Sequence, residues 1–459
     1  MNRVTTAFKG GSLMARVLRS ASWLMIGYGG SQALRLAANL VLARLLFPEA
    51  FGLMALVNVV ILGLTLFSDT GINAAIAQSD RGDDPDFLNT AFSIQVVRGL
   101  ILWATTALLA WPVSQFYNEP DLLVYLPIAG VGLAINGFMP TRVETAHRHL
   151  LVGRVTALDL ISQALGILSM VVLAVITQSV IALVLGGVFQ AFVTLALTQA
   201  FLPGMKNRFR WEAKAVHEQL HFGKWIFLST ACWFFTSQGD RLFLGKFVTL
   251  EVLGLYNIGF FLASFPMLLG YAINQRLLIP VYREKPATES RDNWRNQRWL
   301  RFGLSGAILS LLLVVAFAGP WLVDLLYDER YMLSGPMVSL IAIAMIPAVI
   351  GLTYDPAALA AGDSRGFFVF TASRAIIQTI LFLLGLSWFG VLGGIAALGV
   401  SMLLAYPVLI WLATKHKVWD PVHDLLCLVL AGGIAGLILS YHAGMIPDMV
   451  QALGQKVSH

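Results

Sequence analysis

The sequence predicts an all-α protein: a polytopic transmembrane helical bundle of two parallel six-helix halves plus one extra C-terminal span, about 13 spans in all. Three observations lead there. Of 459 residues, 58% are hydrophobic and 12% charged, against roughly 25% charged in soluble domains, so there is too little polar surface to coat soluble domains. The apolar residues come in continuous runs as long as the about 20 residues a helix needs to cross hydrocarbon. A stretch near the start recurs 202 positions later with the same turn chemistry.

Taken in order, the apolar segments are 21–46, 51–77, 90–116, 121–141, 155–177, 180–202, 222–247, 251–279, 302–326, 332–360, 366–388, 391–413 and 421–442. Lipid offers the backbone no hydrogen bonds, so only helices or closed barrels span it. Barrel strands alternate over about ten residues, whereas these runs are unbroken and about twice as long, which makes them helices. The first run does not read as a cleavable signal peptide: it is too long, carries Arg35 in its middle and lacks a small-residue cleavage site. Cys232 and Cys427 lie inside apolar runs with no partner at metal-ligand spacing, and read as small buried hydrophobes.

Orientation follows from the basic residues. With the N-terminus in the cytoplasm, segments 1–20, 78–89, 142–154, 203–224, 280–301, 361–365 and 414–420 hold 22 of the 31 Lys and Arg, and the far side holds Lys246, Arg330 and Lys456. Basic loops stay inside, so the N-terminus is expected inside and, after an odd number of spans, the C-terminus outside. The net charge of +6 then belongs to these loops and implies no nucleic acid. The outer turns Phe47–Ala50, Tyr117–Pro120 and Tyr327–Tyr331 leave no extracellular domain, and the cytoplasmic loops 203–221 and 280–301 are too small for a catalytic one. There is no metal-ligand His spacing and no Gly-rich phosphate loop after a strand, so neither an enzyme nor a resident cofactor is expected. The expected division is a cytoplasmic segment 1–20, a first bundle 21–202, a basic linker 203–221, a second bundle 222–415, and an appended span and tail 416–459.

The repeat sets RLLFPEAFGLM from Arg44 over KFVTLEVLGLY from Lys246. Arg44 meets Lys246, Glu49 meets Glu251, Gly52 meets Gly254 and Leu53 meets Leu255. Each stretch is the turn between the first and second span of a six-span group. Six spans separate the copies, so both halves share one orientation, the parallel repeat of carriers that bind substrate between halves.

Polar residues line up inside these same spans. Tyr28, Gln32, Arg35 and Asn39 share one helix face of the first span. Asn58, Thr65, Asp69 and Asn73 mark the second, Ser229, Trp233, Thr236 and Asp240 the seventh, and Asn257, Ser264, Tyr271 and Gln275 the eighth. Single polar residues more often bond neighbouring helices, at roughly 0.6 kcal/mol per pair. Four aligned stripes with charges in repeated positions instead predict a wet cavity, because intramembrane charge is costly and functional. Arg98 and Arg374 sit about two turns inside their spans with polar neighbours. With Arg35 and Arg276 they would grip an anionic headgroup through the planar guanidinium fork. Asp69 and Asp240 are the candidates for a coupling proton or sodium ion. Asp159, Asp355 and, beside its headgroup role, Arg276 read as snorkelling or local ion pairs, and Pro127, Pro266, Pro347 and Pro407 as kinks.

The stretches ARLLFPEAFGLMALVNVV from Ala43, FSDTGINAAIAQ from Phe67 and GDRLFLGKFVTLEVLGLYNIGFFLASFP from Gly239 resemble polysaccharide transporters of the multidrug/oligosaccharidyl-lipid/polysaccharide (MOP) flippase superfamily. The resemblance covers roughly residues 15–415, although many members have fourteen spans. It implies two six-helix bundles around a V-shaped cavity, and flipping of polyprenyl-pyrophosphate-linked oligosaccharide units across the bacterial cytoplasmic membrane. It also implies polymerase or glycosyltransferase partners. The cavity residues it points to here are Arg35, Arg98, Arg276 and Arg374, beside Gln32 and Asn39. A drug–cation antiporter or a lipid II flippase of the same superfamily is the nearer alternative, and a membrane-embedded polymerase the more remote one. An antiporter would favour acidic lining, whereas the embedded arginines here outnumber the embedded acids.

Overall fold

The computed structural model describes residues 13–69, 71, 72, 75, 76, 79, 81–274, 278–445, 447, 449, 451 and 453, with side-chain surroundings described from Ser22 except at Leu24, Lys214, 217–227 and Ser229. Asn73, Gln275 and Arg276 lie outside the described residues, as does the start of segment 1–20. Among the described residues the regular structure is helical, without strands. The α-helices are α1 Leu13–Leu45, α2 Pro48–Phe67, α3 Pro85–Tyr117, α4 Leu122–Gly137, α5 Arg142–Arg148, α6 Val152–Thr177, α7 Ile181–Phe201, α8 Ala213–Phe247, α9 Leu250–Ile273, α10 Ile279–Glu284, α11 Arg291–Leu326, α12 Ser334–Leu352, α13 Asp355–Ala360, α14 Ser364–Lys415 and α15 Pro421–Tyr441. Nine of the described helices are long and apolar enough to cross a membrane, or ten if α4 and α5, bent by 62°, form one span.

The helix starts are written locally. Pro48, Pro85 and Pro421 stand in the first turn of α2, α3 and α15, where a missing N–H costs nothing. The side chains of Asp84, Thr249, Ser290, Asp363 and Asp420 accept backbone N–H groups that the first turns leave without partners. Asp363 also accepts from Lys415 Nζ at 2.6 Å. That lysine, the Gly366 N–H and His416 hold its carboxyl down to about 2.

Two apolar segments are broken where they read as continuous. The stretch 51–77 leaves the helix at Ser68, because the Asp69 carboxylate accepts the Gly71 N–H at 2.9 Å and Gly71 takes φ +68°. A short side chain bonding its own backbone competes with helical pairing. Asp69 is therefore in the connection after α2 rather than on its helical face. The stretch 332–360 is interrupted between Leu352 and Asp355, and Pro356 stands in the first turn of α13.

The opposite holds for α14, whose 52 residues run through both 366–388 and 391–413. A straight helix of that length would measure about 78 Å at 1.5 Å per residue, against about 30 Å of hydrocarbon. The break is at Gly390, with φ 60° and ψ −147°, a region essentially closed to residues with a Cβ. On either side Gly385 and Gly393 face each other so closely that a Cβ on Gly393 would come 2.1 Å from the Gly385 carbonyl oxygen. The two arms thus fold back on one another.

The chain divides into two compact units, one of residues up to Phe47 and Leu56–Thr230, the other of Pro48–Ala55 and Ala231–His459. In the first unit α1 packs on α6, α3 on α4 and α6 on α7. Its loops are knitted together by charge. Arg81 bridges Asp84 at 2.6 Å and Glu212 at 2.8 Å, and Arg148 donates to the carbonyls of Ile76 and Ser79. Arg210 meets Asp86 at 2.8 Å. Arg81 keeps the Asp84 carboxyl below the usual carboxylate range.

In the second unit α12 packs on α9, α11 and α14, and α15 packs on α11 and α12. α15 turns Val422, Leu425, Leu426, Val429, Leu430 and Leu437 outward, all at least 45% exposed. An apolar stripe of that length would aggregate in water and is at rest in lipid. The two repeated turns also meet here. A Cβ on Gly52 would lie 2.0 Å from the Leu250 carbonyl oxygen, and one on Gly254 would lie 1.9 Å from that of Pro48. Under the 202-residue offset these two contacts are the same contact, so the first turns of α2 and α9 form a reciprocal, two-fold-related junction.

Either Gly52→Ala or Gly254→Ala drives a methyl group into backbone and is expected to destabilise the protein by about 1–3 kcal/mol or more. Thermal unfolding of the purified full chain in detergent would read this as a clear drop in midpoint, and a midpoint equal to wild type would refute the junction.

Candidate functional site

Each unit holds its own polar cluster inside apolar helices. In the first unit the centre is Arg98 on α3. Its Nε donates to Ser68 Oγ at 3.0 Å and its Nη2 to the Thr65 carbonyl oxygen at 2.7 Å. Ser68 is the C-cap of α2, so Arg98 sits where the last carbonyls of that helix present partial negative charge. Asp69 lies within electrostatic reach of the same guanidinium. The arrangement holds a cation and an acid together at the end of α2, with two of the arginine's donors committed to protein.

The α1 stripe keeps its face. Gln32 donates to the Tyr28 hydroxyl at 3.2 Å. Gln32 and Asn39 are half-buried and Arg35 is exposed. Asn58 on α2 is exposed as well.

In the second unit the centre is Asp240 on α8, only 4% exposed. It accepts the Tyr256 hydroxyl at 2.6 Å, and Arg241 Nη1 lies 3.4 Å from it. Arg241 is fixed three ways: Nε donates to Asn257 Oδ1 at 3.0 Å, Nη1 donates to the Ser237 carbonyl, and the guanidinium lies 4.2 Å from the Phe260 ring centre. A buried carboxylate is tolerated only when paired and hydrogen-bonded, and α9 supplies that environment. Thr236, one turn earlier on α8, gives its carbonyl to Gln378 of α14 at 3.0 Å. Arg374, one turn before Gln378, is half-buried and within electrostatic reach of Asp355.

Of the expected site residues, Gln32, Arg35, Asn39, Asp69 and Arg98 therefore belong to the first unit, and Asp240 and Arg374 to the second. Arg98 and Asp69 come together, as do α8 and α14 around Thr236 and Gln378. Sequence reading put Asp240 and Asn257 on separate polar stripes but did not pair Asp240 with Tyr256 or Arg241 with Asn257. Tyr256 and Asn257 lie 16 positions from Asp240 and Arg241, the span of one tight helical hairpin, and that spacing is the signal that would have found them.

A third polar group was not foreseen. Asp424 on α15 accepts the hydroxyls of Tyr354 at 2.7 Å and of Tyr406. His423 bonds Asp424 at 2.8 Å and Ser305 Oγ at 3.0 Å. Arg301, with no exposed surface, lies over the Tyr354 ring at 5.4 Å. The helix expected as an appendage thus carries a buried part of the second unit's polar core. Among the described residues no group of three or more His, Cys, Asp or Glu is placed to hold a metal ion.

Solved structures of similar fold cover nearly the whole chain. An inward-facing multidrug resistance MATE family transporter of the MOP superfamily aligns with a TM-score of 0.63 at 13% identity, covering 84% of this chain and 94% of that one. The lipid II flippase MurJ in its inward closed conformation aligns with a TM-score of 0.63 at 11% identity, covering 92% and 99%. With its long apolar helices and charge held inside them, the protein is a multi-pass membrane protein with the MOP transporter fold. Over residues 41–336 it matches the family described as polysaccharide biosynthesis protein, and it belongs to that family. The succinoglycan biosynthesis transport protein ExoT of Rhizobium meliloti is 20% identical over 368 residues, which covers 79% of this chain and 73% of the relative.

Tyr256→Phe removes a donor from a buried carboxylate, which is expected to cost about 1–3 kcal/mol. The check is the thermal midpoint of the full chain in detergent beside that of Tyr271→Phe, an exposed tyrosine on the same helix. Equal midpoints for the two variants would show that Asp240 does not depend on Tyr256.

Proposed function

We propose that this protein moves polyprenyl-pyrophosphate-linked oligosaccharide units across the bacterial cytoplasmic membrane by alternating access. The match of residues 41–336 to a polysaccharide biosynthesis family carries the reading. The transporter fold supports it, as does arginine held inside apolar helices. In this reading thirteen spans form two parallel groups of six and one more, with the N-terminus in the cytoplasm. The reciprocal junction at Gly52 and Gly254 supports the pairing of the groups.

The chemistry is charge compensation. A pyrophosphate cannot enter hydrocarbon unaccompanied, since even one charged side chain at the bilayer centre costs about 2.5–3.5 kcal/mol on the insertion scale. Arg35, Arg98, Arg276 and Arg374, with Gln32 and Asn39, are proposed to line its path. Arg98, anchored to Ser68 and Thr65, acts as a fixed positive charge, while exposed Arg35 acts as the guanidinium that reaches for phosphate oxygens. Asp69 and Asp240 are the proposed positions for a coupling proton or sodium ion. Asp240 is already compensated by Tyr256 and Arg241, so an ion there has to compete with that pairing. Enzymes that build and polymerise the glycan are the expected partners, and the protein itself does no covalent chemistry in this account.

Deleting the gene from its host is expected to lower surface polysaccharide and to accumulate a lipid-linked oligosaccharide on the cytoplasmic side. If extracted lipids show no such intermediate, the flippase reading fails. In the complemented strain Arg35→Ala and Arg98→Ala, at matched protein levels, are each expected to lower surface polysaccharide at least severalfold; unchanged output from both would remove the arginines from the mechanism and leave the transporter class standing.

A further inference from the structure

A cavity of about 660 Å³ opens in the second unit between the start of α11 and the start of α15. It is unrelated to the clusters at Arg98 and Asp240. Arg291, Arg295 and Arg298 border it, together with Trp294, Trp299 and Phe302 of α11, while Val422 and Leu426 of α15 form its apolar side. Positions 291, 295 and 298 fall on one helix face, which aims the three guanidinium groups into one space. Asp292 also borders it and Asp420 pairs with Arg298 from behind, so three basic groups stand against two acids.

Arg298 is preset. Its Nε forms an ion pair with Asp420 at 2.6 Å, and Asp420 is 2% exposed. Its guanidinium lies 5.4 Å from the Trp294 ring and 5.6 Å from the Phe302 ring. A guanidinium held by a buried acid and aromatic faces loses little further freedom on meeting an anion.

The level of the cavity follows from the two helices. From Phe302 to Val323 α11 has no charged residue, and neither has α15 from Leu425 to Tyr441. Each stretch matches the about 20 residues needed to cross hydrocarbon. The cavity therefore lies at the boundary between charged and apolar chain on both helices, the depth of lipid phosphates. Trp299, 68% exposed, sits at that boundary in the manner of an interfacial anchor. Outward-facing Val422 and Leu426 continue the cavity's apolar wall along the helix.

We propose that this cavity binds the phosphate headgroup of an anionic phospholipid of the surrounding leaflet, with the acyl chains lying along α15. A basic pocket between helices at headgroup depth suits that chemistry. A soluble phosphate would find the guanidinium groups but would leave the apolar wall unused. The binding is independent of the transported cargo and ties the second unit to the composition of its membrane.

The test uses the full chain in detergent, titrated with phosphatidylglycerol or phosphatidylcholine and followed by thermal midpoint. Phosphatidylglycerol is expected to raise the midpoint saturably, with an apparent affinity at least fivefold above phosphatidylcholine. Arg291→Gln with Arg295→Gln is expected to weaken that affinity at least fivefold, whereas Lys206→Gln with Arg208→Gln, an equal loss of charge in the first unit, leaves it unchanged. Equal response to the two lipids, equal loss in the two variants, or displacement of the lipid by millimolar inorganic pyrophosphate would each overturn the proposal. Photoactivatable phosphatidylglycerol on the wild-type chain keeps the test decisive if the variant fails to fold: labelling of peptides around Arg295 and Leu426 supports the site, and labelling only elsewhere refutes it.

Discussion

In hydrocarbon the peptide backbone has no partner but itself, and each architectural choice in this chain is made under that condition. Helices satisfy it along their length, so the structural problem moves to their ends and to the places where two of them touch. The ends are closed by side chains set in sequence beside them, Asp84, Thr249, Ser290, Asp363 and Asp420. The contacts are made by removing side chains altogether. Apolar attraction between helices is weak where the solvent is itself apolar, so close backbone approach supplies the attraction instead. Gly52 against Gly254 and Gly385 against Gly393 are the extreme cases.

The same condition governs the charges. Arg98 is accepted inside apolar surroundings because α2 ends beside it and offers a carbonyl and a hydroxyl. Asp240 is accepted because the following helix brings back Tyr256, with Arg241 alongside. Both solutions use a helix end or a hairpin partner, the nearest polar groups that a bundle can provide. Charge placed in this way is held in position by the fold itself.

How much of this could be read from sequence depends on how far apart the interacting residues are. The apolar runs and the repeated turn are local patterns, and they carry to the structure, although α2 and α3 begin at Pro48 and Pro85, a few residues before the runs at 51 and 90. The ends of runs were less legible. Hydropathy does not distinguish a helix from an apolar turn, so the segment 51–77 hid the exit at Ser68, and only the Asp69 carboxylate on the Gly71 amide explains it. Gly52 and Gly254 were legible as a match but not as a contact, because pairing two copies is a property of three dimensions. The cluster of Arg301, Tyr354, Tyr406, His423 and Asp424 was illegible altogether: His423 reaches Ser305 across 118 positions and Tyr354 reaches Asp424 across 70. In a linear reading each of these is an ordinary polar residue at a span edge. Arg276, one of the expected arginines, lies outside the described residues.

The buried pair His423–Asp424 also has a meaning in time. α15 is the last long described helix in chain order, so during synthesis α11 to α14 enter the membrane first. Until α15 arrives, Ser305 and the hydroxyls of Tyr354 and Tyr406 lack the partners they bond in the finished protein. The polar interior of the second unit thus stays open until α15 is made. α15 acts as a latch: a chain that stops before Pro421 leaves Ser305, Tyr354 and Tyr406 without these partners.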